Sequence, residues 1–308
     1  MNLAHLHLLL NHVPTVGAVV ALGLLLLAFM RRNDHLKHAG LEVLFAIAVV
    51  TVPAYMTGAA AQRELRGVAG LSESTIRAHQ DAALWGLAAM EFAGFAAWLA
   101  LWQIRRRGRA ARGMLTAVTV LLVLSLAIMG RAANLGGEIR HPEIGSSVAD
   151  TDPNQFVVAR LSRYLTNDSA WAWPAGEAVH FLGMSLSMGV LLAVNLRILG
   201  LMPQVPFAAV HRLLPWGMLG FGLNLITGMM FFAALPGQYV QNAPFLWKVF
   251  FLMIAGANFL YLTVFGKGWN TGGFKPRLAD KAMAAGSIFA WLAILFAGRM
   301  LPFLGNAF

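Results

Sequence analysis

Eight runs of about twenty mostly apolar residues dominate this chain, near 12–30, 39–60, 79–103, 114–135, 176–199, 211–234, 245–266 and 281–303. A helix crossing the hydrocarbon core of a bilayer needs about 20 such residues. Most runs are rich in Gly and Ala, which let helix backbones approach closely in lipid. Strand-type alternation of apolar and polar residues is absent, which argues against a β-barrel. Only 12% of the residues are charged, too few for an ordinary soluble domain. The sequence therefore predicts an all-α integral membrane protein with eight transmembrane helices. The first run is too long, and too poor in a basic leader, for a cleaved signal peptide, and is expected to be retained.

The net charge of +10 does not point to nucleic acid, because the basic residues alternate with the spans. One set of loops holds Arg31, Arg32, Lys37, Arg105, Arg106, Arg107, Arg109, Arg112, Arg197, Arg212, Lys267, Lys275, Arg277 and Lys281, fourteen of the 23 lysines and arginines. The positive-inside rule places these loops in the cytoplasm and both termini outside, in the periplasm if the membrane is a bacterial inner membrane. Cysteine is absent, so disulfides, iron–sulfur clusters and thiolate chemistry are excluded.

The runs divide into two four-helix bundles, 1–135 and 176–308, joined by a periplasmic linker over 136–175. Within the linker "QFVVARLSRYL" places Phe156, Val157, Leu161 and Tyr164 on one side at helical spacing, as an interfacial amphipathic helix would. Trp171 and Trp173 mark a headgroup level. The halves show a faint internal repeat. "NHVPTVG" and "VHFLGMS" each open a half with a histidine, aligning His12 with His180, and "AYMTGAAAQ" and "NLITGMMFF" each carry Thr-Gly late in the second helix.

Four histidines, His12, His79, His141 and His180, fall at the outer ends of different spans. Imidazoles from facing helices can hold the iron of b-type haem, and a helix N-terminus favours the neutral, ligating form. Small residues lie below His79 (Ala82, Ala83, Gly86) and below His180 (Gly183, Ser187). The expected site is one outer haem on His12 and His79. A second haem would use His141 with His180, or His38 with His211 on the inner side. His5 and His7, preceding the first run, are expected to be solvent-exposed. Glu91, about three turns into span three, is a candidate for a proton relay or for an ion pair with Arg131. Lys248 is placed to snorkel to the interface. Asn224 and Asn258 are read as polar glue between helices.

The first half, over about 3–145, resembles a family of uncharacterised bacterial four-helix membrane proteins through "LHLLLNHVPTVG", "IRAHQDAALWGL" and "NLGGEIRHPEI". The second half, over about 171–260, resembles another uncharacterised bacterial membrane family distantly similar to copper resistance protein D and cytochrome b561-like bundles. Its residues are "WAWPAGEAVHFLG", "NLRILG", "LLPWGMLGFGLNLITGMMFF" and "NAPFLWKVFFLMIAGAN". Those relatives often carry a further histidine near the inner end of the seventh span, where this chain reads "YLTVFGKGW". The resemblance implies a membrane bundle and a haem without naming a reaction.

The expectation is a b-type cytochrome subunit of the inner membrane, an electron-transfer subunit without chemistry of its own beyond the haem. It would lie in lipid within a membrane redox complex, between a periplasmic electron carrier or dehydrogenase and the quinone pool. The alternatives are a cofactor-free membrane anchor and a transporter, with Met184 and Met188 as soft ligands for copper.

Overall fold

A computed structural model describes residues 3–65, 71–141, 156–265 and 274–304. Among them there are no strands, and eight helical stretches are long and apolar enough to cross a membrane. The chain is a multi-pass membrane protein of the all-α class, and it divides into two compact units, Met1–Tyr164 and Leu165–Phe308.

In the first unit α1 (Leu3–Leu10) and α2 (Val13–Arg31) together form the first span. They are separated by a turn at Asn11–His12, and Pro14 sits in the first turn of α2, where its missing N–H costs nothing. Three long helices follow, α3 (Asp34–Leu65), α4 (Glu73–Arg107) and α5 (Arg112–Arg140). α2, α3, α4 and α5 pack in sequence, and α5 returns to α2, closing a four-helix ring; α1 lies mainly on α3. The leading segment is thus a helix resting on α3, with none of its residues fully buried. A short helix, α6 (Val157–Arg163), starts on the carboxylate of Asp81, which accepts hydrogen bonds from the backbone N–H groups of Val157 and Val158. Its buried residues are Phe156, Val158 and, just beyond it, Leu165, whereas Tyr164 of the predicted apolar side is exposed. Capping by Asp81 seats α6 on α4 and sets which face turns inward. The remaining linker, 142–155, lies outside the described residues.

The second unit repeats the four-helix order with α7 (Ala172–Leu199), α8 (Phe207–Ala234), α10 (Ala243–Leu260) and α11 (Leu278–Leu304), with a short α9 (Pro236–Gln241) between α8 and α10. One wide π-helical turn, Tyr261–Phe265, continues α10. α7 and α8 cross with backbones nearly touching: a methyl added at Gly220 would lie 2.6 Å from the carbonyl oxygen of Gly183. Asn258 donates to Met283 O on α11 at 3.5 Å, a bond between helices as expected, whereas Asn224 donates within its own helix to Gly220 O at 3.2 Å. Phe259 wedges α10 against α8, its ring meeting the glycine face at Gly217 and lying 6.2 Å from Phe221.

In lipid the hydrophobic effect does not hold helices together, so close packing of this kind carries much of the stability. Gly220→Ala is expected to lower the stability of the protein in detergent by about 1–3 kcal/mol, the usual cost of overpacking. Gly189→Ala, at a position with nothing within 4 Å, should leave it unchanged or slightly raised. Thermal unfolding of the two variants checks this.

Candidate functional site

The end of the first unit opposite the arginine cluster of α4 gathers two imidazoles held by the same device. His79, two turns into α4, places Nδ1 2.8 Å from the carbonyl oxygen of Ala132 on α5. Its ring lies over Gly136, one turn further along α5, where a Cβ would come within 3.1 Å of Cε1. His7 on α1 places Nδ1 3.0 Å from the carbonyl of Ala54 on α3, with the hydroxyl of Thr57 at 3.4 Å. Its ring lies over Gly58, again one turn further on, at 3.2 Å. In each case the missing side chain of a glycine opens a notch through which the ring reaches a main-chain carbonyl.

A carbonyl oxygen has only lone pairs, so Nδ1 must carry the proton in both rings. Nε2 is then left as an acceptor, the state a metal ligand requires, with a backbone oxygen orienting the ring behind it. Among the described residues no three His, Asp or Glu side chains gather where a metal ion could be held. Two imidazoles without a third ligand suit a metal whose remaining ligands come from a macrocycle better than a bare ion needing four protein donors. Imidazole is a donor type that haem iron accepts, and His7 and His79 are the residues that would hold it.

This differs from the pair read in the sequence. His12 is exposed, at the turn between α1 and α2. His7, expected to be solvent-exposed, is half-buried and bonded to α3. The space expected beneath His79 is filled by α5: Ala82 packs with Ala132 and Leu135, and Gly86 meets Met129 at 3.2 Å.

The second unit contains the matching arrangement. His180 on α7 places Nδ1 2.7 Å from the hydroxyl of Thr227 on α8, and that hydroxyl donates back to Leu223 O at 2.7 Å. The hydroxyl thus bridges His180 Nδ1 and the α8 backbone. The His180 ring faces Gly228, where a Cβ would stand 3.6 Å from Cε1. Lys248 on α10 brings Nζ to 3.7 Å from a Cβ built at Gly298 of α11. The Thr-Gly pairs of the faint repeat, Thr57-Gly58 and Thr227-Gly228, thus each seat a histidine from the first span of their half. The histidine that corresponds to His180 is His7, not His12.

The other candidates are scattered. His141 is exposed just past α5. His38 is exposed at the start of α3 in the first unit, and His211 is only 3% exposed in the second. Glu91 has a buried carboxyl oxygen with no hydrogen-bond partner among the described residues. It forms no ion pair with Arg131, which is exposed. The contact between Gly86 and Met129 sets the register of the antiparallel α4 and α5, and from it Glu91 and Arg131 are displaced in opposite senses. Seven residues of helical rise separate their levels, about 10 Å. Met184 and Met188 lie half-buried along α7. No family model, curated protein or solved structure matches this chain.

A side chain at Gly136 should expel the His79 ring from Ala132 O. In Gly136→Leu, carbethoxylation of His79, followed by mass spectrometry on the folded protein, should rise several-fold toward the rate of exposed His12. Gly130→Leu on the same helix, with nothing within 4 Å, should leave it unchanged.

Proposed function

We propose that this protein is a membrane-bound b-type cytochrome subunit, carrying electrons between a partner outside the membrane and the quinone pool. The observation that supports this best is the His7–His79 pair, two neutral imidazoles with Nδ1 pinned to carbonyls and Nε2 left for a ligand. A haem bound there would supply one-electron transfer. The chain's own part is to fix ring orientation through Ala54 O and Ala132 O. It also packs α1, which carries His7, onto α3. Glu91 is the proton-relay group of this reading, on the strength of its buried, unpartnered oxygen.

The clustering of basic residues in alternate loops supports an inner-membrane orientation with both termini periplasmic. In that orientation the histidine ends face a periplasmic carrier or dehydrogenase within a larger redox complex.

The test is a dithionite-reduced minus air-oxidised spectrum of the purified protein with pyridine haemochrome quantification. The expected result is one b-type haem per chain, lost in His7→Ala and in His79→Ala and kept in His12→Ala. A folded preparation without haem would overturn the reading in favour of a cofactor-free anchor. Loss in His12→Ala with His7→Ala unaffected would restore the pair read from the sequence.

A further inference from the structure

The second unit closes its ring where α11 returns to α7, and the packing of this seam leaves two polar groups incomplete. Asn195 of α7 is 1% exposed and Ser287 of α11 is 2% exposed, and the asparagine Nδ2 donates to the serine hydroxyl at 3.0 Å. The other half of that amide, Oδ1, is buried and has no hydrogen-bond partner among the described residues. The same holds for the indole Nε1 of Trp291, a residue 4% exposed. Trp291 lies one helical turn beyond Ser287 on the same face of α11. Helical side chains lean toward the N-terminus, which turns the Trp291 ring back toward the level of Ser287 and Asn195. Asn195 and Trp291 line one cavity of about 10 Å³, completed by Met188, Leu192 and Ile288. A buried amide oxygen and a buried N–H, each without a partner, are costly in apolar surroundings, and a bilayer supplies no bulk water to relieve them.

We propose that this cavity is a binding site for one water molecule, which bridges Trp291 and Asn195 across the seam. The ligand must accept from the indole N–H and donate to the amide oxygen at the same time. Water does both, and a cavity of roughly 10–15 Å³ on this measure holds one. A cation would face the indole N–H, and an anion would face the amide oxygen. An alcohol or any larger hydroxyl compound exceeds the space. The bridge links Ser287, Asn195, water and Trp291 in one polar chain within an otherwise apolar wall, and it fixes the register of α11 against α7. It requires no haem, so it stands or falls apart from the proposed function.

Water-edited solid-state NMR of the full-length protein in lipid vesicles, with the tryptophan indoles labelled with nitrogen-15, tests it. The Trp291 signal is the one missing from the spectrum of Trp291→Phe. Magnetisation from water should reach Trp291 about as fast as it reaches Trp171, although Trp171 is 82% exposed and Trp291 is buried. Asn195→Leu removes the acceptor and fills its space. It should slow the transfer to Trp291 several-fold and leave Trp171 unchanged. Thermal unfolding verifies that the variant folds, and if it does not, Asn195→Val, nearer in size, takes its place. Absence of fast transfer to Trp291 in the unaltered protein overturns the inference. So does fast transfer that survives the loss of Asn195. Transfer that survives in Asn195→Leu but vanishes in Ser287→Ala would come from the serine hydroxyl and equally overturns it.

Discussion

The arrangement of this protein's polar groups depends on one contact: an imidazole laid over a glycine on a neighbouring helix, its Nδ1 hydrogen-bonded to an oxygen at that notch. At His79 and His7 the oxygen is a main-chain carbonyl one turn before the glycine, and at His180 it is the hydroxyl of the threonine preceding it. A carbonyl already used in its own helix still has a second lone pair, so the bond is made without breaking the helical ladder. Interhelical hydrogen bonds in membranes are worth about 1 kcal/mol, enough to orient a ring but not to hold a bundle together. The bundle is held by small residues in close contact, as at Gly183 and Gly220. The notches that accept the histidines are therefore the same structural element as the packing surface, used at the ends of the spans.

The same contact explains how two halves of little sequence similarity share an organisation. What is kept is the seat: Thr-Gly on the second helix of a half and a histidine from the first. What differs is the group on the third helix, an imidazole in one half and an amine in the other.

The eight spans were legible because runs of twenty apolar residues have few other fates, and His79 and His180 stood out as polar residues at span ends. The seating of His7 was not legible. His7 precedes the long apolar run, and Pro14 and the turn at Asn11–His12 hide the fact that Leu3–Leu10 is a helix packed on α3. The Thr-Gly repeat was visible, but matching it to His12 missed the register by one short helix. The Glu91–Arg131 pair failed for a related reason. Sequence places both residues on adjacent helices but does not give their relative depth, which the Gly86–Met129 contact sets.

The central claim is the protonation pattern of the seated rings. Free histidine in water favours the proton on Nε2, whereas the carbonyl seats demand it on Nδ1. Nitrogen-15 NMR of histidine-labelled, haem-free protein in detergent, with assignments from single His→Gln variants, distinguishes the two tautomers directly. The expected result is the Nδ1–H form for His7 and His79 at neutral pH. The Nε2–H form at His7 and His79 would contradict it, because their Nδ1 atoms could then not be bonded to Ala54 and Ala132, and Nε2 would not be open to a ligand.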